Sequence, residues 1–273
     1  GHNVRMMSPR KVKAFVNGQK NDANDAIGIA IASQQPGMSF SPIKSIEQQS
    51  IQTIDTSRKF LDKSVTALNN HIRAIVYEYG QTIPKGAKGL RERMAELLSS
   101  DNSALTKSIK AVVRTMWEQY QRTQEQLNEV TKQLESFTKD IEPCRRLQKL
   151  EGVGPKSASL LYATIGNGEA FKNGRAAAVH AGVTPMQYSN GGKSVLLGIT
   201  KQGDSKLRST MYQGALSIVS NLKPDAKTQK HQWLLSLVKR IGVKRTCIAL
   251  VNKNIRTAWA MLKNNTDYQP IYL

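Results

Sequence analysis

Between Ser45 and Tyr79 the chain reads SIEQQSIQTIDTSRKFLDKSVTALNNHIRAIVYEY, a stretch with no proline. Ile51, Ile54, Leu61, Val65, Leu68, Ile72 and Ile75 recur in it at helical spacing, so the pattern predicts one long amphipathic helix. The turn-forming run Gly80-Gln81-Thr82-Ile83-Pro84-Lys85-Gly86 ends it. A short helix is expected over residues 89–98. A second long one follows over about 103–141, with Leu105, Ile109, Val112, Met116, Tyr120, Leu127, Val130, Leu134 and Phe137 as its stripe. Two such helices predict an antiparallel coiled-coil hairpin, and their near-balanced charge suits self-association better than phosphate binding. A solitary helical spacer is the alternative.

Working outward, Val4-Arg5-Met6-Met7 reads as a short strand, and a second apolar stretch follows at 12–16. Asn21-Asp22 caps a helix running through 26–32, which Gln35-Pro36-Gly37 ends. This opening is an α/β fragment. No initiator Met begins it, and an N-terminal portion is expected upstream. Beyond Pro143, helices are expected at 147–150, 156–165, 174–180, 205–221, 231–241 and 244–262, joined by glycine-rich turns and followed by a polar tail from Asn264. The expected fold is therefore mostly α with a small α/β portion, in three parts: 1–45, 46–145 and 146–273.

Charge is distributed unevenly over those parts. The 273 residues carry a formal net charge of +20 and a pI of about 10.0, of which 1–45 contribute +4, 46–145 only +2, and 146–273 the remaining +14. Such an excess points to a polyanionic partner, either nucleic acid or an acidic membrane surface, concentrated on the last part. No run of 18 apolar residues and no signal-peptide pattern is present, so a soluble, cytoplasmic protein is expected. Cys144 and Cys247 stand apart without a C-x-x-C partner, and His2, His71, His180 and His231 lack zinc spacing. Reduced cysteines and no zinc site are expected.

Three motifs bear chemistry. In Leu150-Glu151-Gly152-Val153-Gly154-Pro155-Lys156, a G-V-G-P turn joins two helices and resembles a helix-hairpin-helix motif, in which Gly152, Gly154 and Lys156 approach a nucleic-acid phosphate. A tight interhelical turn with Pro155 at the first helical position explains the same letters. The stretch from Pro185 to Arg208 combines Ser189, the glycine turn Gly191-Gly192, and Lys193, Lys201, Lys206 and Arg208. Free backbone N–H groups and cations suit a phosphate there, with Ser189 as a nucleophile; a solvated loop between two helices is the plainer reading. Finally, Asp22 and Asp25 stand at i, i+3, on one helical face, as hard oxygen ligands suited to Mg²⁺. Acids complementing a helix dipole are the alternative.

Other residues favour structural roles. His180 ends a small-residue helix, and Trp117, Trp233 and Trp259 fall at apolar positions. The cations Lys239, Arg240, Lys244, Arg245, Lys253 and Arg256 either track a phosphate backbone or form a solvated face.

Taken in order, the stretches at 1–5, 20–26, 150–155 and 181–208 resemble the DEDD-type insertion-sequence transposases, the Piv/MooV-like group that includes bridge-RNA-guided recombinases. The resemblance implies a RuvC-like domain of RNase H fold carrying Asp, Glu, Asp and Asp, then a coiled coil, then a helical transposase domain with a serine nucleophile. Asp22 and Asp25 match the last two acids of that tetrad, with the first two expected upstream of Gly1. Ser189 matches the nucleophile, although Asn190 follows it where relatives often carry a second small hydroxyl residue, which leaves Ser194 as a distant second. The implied partners are target and donor DNA, a structured guide (bridge) RNA and further copies of the chain, as a homodimer or homotetramer, in a prokaryotic cytoplasm at the nucleoid. The implied cofactor is Mg²⁺. Two rival classes remain: a non-catalytic basic nucleic-acid-binding coiled-coil protein, and a RuvC-like junction nuclease that uses water.

Overall fold

The computed structural model describes residues 2, 4–38, 40–99, 105–225 and 228–272; Gly1, Asn3 and the expected helix start near Ser103 lie outside the described residues. The described residues are mostly helical, with two antiparallel strand pairs. They divide into two compact units, 1–49 with 143–273, and 50–142.

In the first unit, β1 (Met6–Met7) pairs with β2 (Phe40–Ser41), Met6 opposite Ser41. The apolar stretch after β1 is helical: α1 (Pro9–Val12) runs into a 3-10 turn at Lys13–Phe15. Helix α2 (Asp22–Gln34) starts where the capping signal places it, because the Asn21 side chain accepts from the Asn24 N–H at 2.8 Å. Gly28 brings α2 against the chain at Phe15-Val16, where a Cβ would sit 2.5 Å from Val16 Cγ2.

The second unit holds the long helical pattern. Helix α3 (Ile46–Glu78) crosses the boundary at Gln49, and α4 (Gly86–Ser99) and α5 (Lys107–Lys139) lie within the unit. Ile72 and Val76 of α3, Leu90, Met94 and Leu97 of α4, and Val113 and Tyr120 of α5 form one core, which places the end of α3 beside the start of α5. Trp117 stacks on Tyr120 with ring centroids 5.1 Å apart. Arg73 secures the intervening turn by donating to the carbonyls of Ile83 and Pro84.

The remaining helices are α6 (Glu142–Leu147), α7 (Pro155–Ile165), α8 (Gly174–His180), α9 (Ser205–Ser220), α10 (Gln229–Ile241) and α11 (Val243–Asn264). Pro143 stands at the boundary where the second unit ends, but the helix expected at 147–150 is not found. Pro143 sits in the first turn of α6, where its missing N–H costs nothing, and 148–150 form the turn after that helix. α11 is the centre of this part: Cys247, Leu250, Val251, Ile255, Ala258 and Met261 are buried along one side, with α7, α8, α9 and α10 packed around it. After α11 the tail returns to α10, with Thr228 bridging Tyr272 and the Gln229 N–H donating to the Ile271 carbonyl at 3.0 Å. No helix among the described residues is long and apolar enough to cross a membrane.

Candidate functional site

The Ser189 segment is a β-hairpin and not a loop between helices. β3 (Pro185–Gln187) pairs with β4 (Leu196–Ile199), Pro185 opposite Ile199 and Gln187 opposite Leu196, with an irregularity between the two pairs. The Tyr188 N–H donates to the Val195 carbonyl at 2.9 Å, and Asn190 and Lys193 exchange both N–H···O bonds around Gly191 (φ 55°) and Gly192 (φ 77°). Two consecutive positive-φ residues between bonded partners make the two-residue hairpin turn that Asn-Gly and Gly-Gly favour. Asn190-Gly191 is a strand-reversal signal in the sequence, and the same glycines also suit phosphate binding.

Residues 185–198 are all exposed, Tyr188 at 73% and Leu196 at 65% among them. The hairpin's root, by contrast, is fixed. The Thr200 N–H donates to the Thr184 carbonyl at 2.9 Å, and the Lys201 N–H to the Gly182 carbonyl at 3.1 Å. Gly182 and Gly203 pass so closely that a Cβ on Gly203 would lie 2.1 Å from the His180 carbonyl oxygen. Arg208 ties the same corner by donating to the Ala181 carbonyl at 3.1 Å. Ser189 thus stands about 13 Å beyond Pro185, four residues at about 3.3 Å each. Its Oγ accepts a hydrogen bond from the Gln187 side-chain amide at 2.9 Å. An acceptor-only contact leaves the hydroxyl proton available.

The cations expected around Ser189 are separated. Lys193 shares the tip, Lys201 turns the chain out of the root at φ 55°, and Lys206 and Arg208 lie in the first turn of α9 below it. Asp204 caps that helix by accepting from the Lys206 and Leu207 N–H groups.

Asp22 and Asp25 occupy the first turn of α2, Asp22 exposed and Asp25 half-buried. Asp25 lines a cavity of about 910 Å³ together with Arg5, Lys13 and Lys20. No group of three His, Cys, Asp or Glu able to hold a metal occurs among the described residues. Two carboxylates one turn apart still fit the way Mg²⁺ is commonly held, by one or two carboxylates with water and substrate phosphate completing the shell. No hydrogen bond or ion pair joins either acid to Ser189 among the described residues.

The two glycines of the G-V-G-P turn have different roles. Gly152, at φ 76°, backs onto α9: a Cβ there would lie 2.9 Å from the Gly214 carbonyl oxygen, and one on Gly214 only 1.9 Å from the Gly152 oxygen. Gly152 therefore serves helix packing. Gly154 is exposed as the N-cap of α7 with open space at its Cα, and Lys156 is half-buried in the first turn. The Gly154 side of the turn is its more exposed side.

Behind that turn lies a polar cluster that the sequence pattern did not reveal. The buried Lys230 ammonium is 3.4 Å from Glu151 Oε2, and it donates to Asn254 Oδ1 at 3.1 Å. His231 Nε2 lies 3.4 Å from Glu151 Oε1, and Asn254 donates to the Glu151 carbonyl at 2.9 Å. Burial lowers the Lys230 pKa, and Glu151 opposes that shift. The partners are up to 103 residues apart, so no local spacing announces them.

His180 ends α8 and packs edge-on against Phe171, with ring centroids 5.2 Å apart. The Trp259 indole donates to the Gly168 carbonyl at 2.9 Å, and the Trp233 ring carries Lys253 Nζ 4.5 Å from its centroid. Lys244 and Arg245 are exposed at the start of α11.

Residues 144–231, which run from α6 through the hairpin to the start of α10, match the model of the transposase IS116/IS110/IS902 family. Over 97% of its length the chain is 36% identical to the transposase for insertion sequence element IS1111A of Coxiella burnetii, covering 73% of that protein. It is 33% identical to a probable family 20 transposase of Pseudomonas aeruginosa, over 99% of this chain and 80% of that one. The transposase for insertion sequence element IS1328 of Yersinia enterocolitica is 30% identical, over 98% of this chain and 79% of that one. With likeness of this extent running through both units, the chain belongs to the IS116/IS110/IS902 family of insertion-sequence transposases.

Proposed function

We propose that the chain cuts and rejoins DNA through a serine-linked intermediate, with Ser189 as the nucleophile. The observation that carries this reading is the placement of Ser189: an exposed hydroxyl near the tip of a hairpin whose root is rigid, within the family-matched segment. Ser189 Oγ attacks a phosphodiester and loses its proton to solvent, and the bond from phosphorus to the 3′ oxygen breaks. The departing 3′ oxygen takes up a proton. A 3′-OH of the exchanged strand then attacks the phosphoserine, restoring the diester and the serine, so that the energy of the phosphoester is conserved and no nucleotide cofactor is required.

Asp22 and Asp25 are the acids proposed to hold Mg²⁺, with water and a substrate phosphate as the other ligands. When bound there, the ion stabilises negative charge on the reacting phosphate. Since no contact links these acids to Ser189, we place them in one composite site assembled on DNA, with the hairpin and the acids supplied by different copies of a homodimer or homotetramer. The further parts of the reading are a RuvC-like region at 1–45, a coiled-coil module at 46–145, a transposase domain at 146–273, and a structured guide RNA that pairs with target and donor DNA. Gly154 and Lys156, at the open side of the α7 N-terminus, are proposed phosphate contacts, as are Lys193 beside the nucleophile and Lys201 and Lys206 at the hairpin root.

The test is covalent capture. Wild-type protein with target DNA, donor DNA, guide RNA and Mg²⁺ should yield a protein–DNA adduct stable to denaturant, and Ser189→Ala should abolish it. An adduct that persists in Ser189→Ala moves the nucleophile elsewhere. Metal-dependent cleavage without any adduct identifies a nuclease, and binding without cleavage an adaptor.

A further inference from the structure

We infer that a groove along the outer side of α11 is the track on which the phosphate backbone of DNA lies on its way to the hairpin. The inference rests on the proposed action on DNA and adds the surface that holds the substrate. One side of α11 is apolar and buried. On the other side, Arg245, Asn252, Lys253 and Arg256 recur at i, i+7, i+8 and i+11, and they line a cavity of about 1120 Å³ to which α8 adds Arg175. Between them α11 contributes the short side chains of Ala249, Thr257 and Ala260 and the larger apolar ones of Ile248 and Trp259.

Four cations and no carboxylate line this groove. Among the described residues none of the four makes an ion pair, while cations elsewhere do, such as Lys149 with Asp267 and Arg93 with Glu96. Arg245 also stands in the first turn of a helix with no acid there, where the helix dipole disfavours a cation. Four like charges gathered without counterions are unfavourable in the isolated chain, and a bound polyanion relieves them.

Several of the other polar and aromatic groups of the groove are engaged within the chain. Asn252 donates to the Val183 carbonyl at 3.2 Å, the Trp233 ring lies under Lys253, and the Trp259 N–H is bonded to Gly168. Arg175, Arg245 and Arg256 have no ion-pair partner among the described residues, and cations so placed suit the phosphates that position a protein on DNA. The stripe from Arg245 to Arg256 runs about 16 Å at 1.5 Å per residue, about five base-pair steps along a duplex axis.

The groove also has a destination. Pro185 and Ile199, the facing pair at the root of the hairpin, form part of its lining, so a backbone held by Arg175 and Arg256 emerges at the base of the element that carries Ser189. At about 13 Å from that root, Ser189 reaches about four base-pair steps further along the duplex axis.

The test is the salt dependence of duplex DNA binding by the full chain, measured by fluorescence anisotropy, for wild type, Arg245→Gln/Arg256→Gln and the surface control Lys88→Gln. Loss of two phosphate contacts should lower the slope of log K against log salt by about 1.8, and the control should match wild type. Matched melting temperatures establish that the double variant is folded. An unchanged slope in a folded double variant overturns the proposal, as does a slope lost on single-stranded RNA of equal length but retained on DNA. Covalent capture by the wild type is scored separately. A reduced slope without capture leaves the groove standing and removes the serine chemistry, whereas capture with an unchanged slope does the reverse.

Discussion

Gly214 lies in the interior of α9, where an alanine would ordinarily stabilise a helix by about 1 kcal/mol. Its surroundings reverse that sign. A Cβ at this position would lie 1.9 Å from the Gly152 carbonyl oxygen, where contacts below 3.0 Å are essentially never found, so α9 must retreat from the 150–154 turn by at least 1.1 Å. The atom it meets is backbone, and Gly152 is itself held at φ 76°, so no flexible side chain can give way. Overpacking of this kind costs about 1–3 kcal/mol, and a rigid obstacle places the cost at the upper end. After the helix gain, Gly214→Ala should destabilise the chain by about 2 kcal/mol and lower Tm by about 4–8 °C. Differential scanning calorimetry reads it, with Gly198→Ala, where a new Cβ meets nothing, staying within about 2 °C of wild type. A Tm for Gly214→Ala equal to or above that of wild type refutes the close approach of turn and helix.

Three other outcomes follow from the same packing. Tyr162 donates its hydroxyl to Glu47 Oε1 at 2.6 Å, so Tyr162→Phe should cost about 1–2 kcal/mol in urea unfolding, and an unchanged midpoint removes that bond from the fold. The thiol pKa of Cys144 is pushed up to about 12, chiefly by burial and further by Glu47, and Cys247 is also buried; both should resist DTNB at pH 8 until the chain unfolds, and rapid labelling of native protein contradicts their burial. Burial, opposed by Glu151, puts the folded pKa of Lys230 below its ordinary 10.5, so the unfolded chain binds more protons over that interval. The stability contribution of this group therefore rises with pH through the folded value and levels off above 10.5, and the rise should be absent in Lys230→Met; identical pH slopes for the two proteins refute it.

Where local chemistry alone decides an element, the sequence was sufficient. Asn21 caps α2 and the helix over 174–180 has the expected bounds, because a capping side chain acts within one turn. The long stripes likewise produced α3 and α5. The hairpin was legible in principle, since Asn190-Gly191 lies between segments able to pair, but the same glycines also suit a phosphate loop and only the partner strand decides between them. Gly152 shows a harder limit. Its packing role depends on Gly214, 62 residues later, and one sequence contains no sign that the two meet. The Glu151, Lys230 and Asn254 cluster was hidden for the same reason. The cations of α11 were visible in the sequence, whereas Arg175 joins them only through the packing of α8 on α11 at Gly174, where a Cβ would lie 3.0 Å from the Arg256 carbonyl oxygen.

The fixed root and open tip of the hairpin make its reach an independent variable of the design. Lengthening each strand by two residues keeps every side chain on its own face, because strand periodicity is two, and advances Ser189 by about 7 Å. No core residue of α8 or α9 need change, since residues 185–198 bury nothing. Relatives could therefore diverge in how far they extend the residue at this position while retaining the same helices beneath it, so that, on the proposed reading, the spacing between held DNA and cut DNA becomes tunable through hairpin length alone.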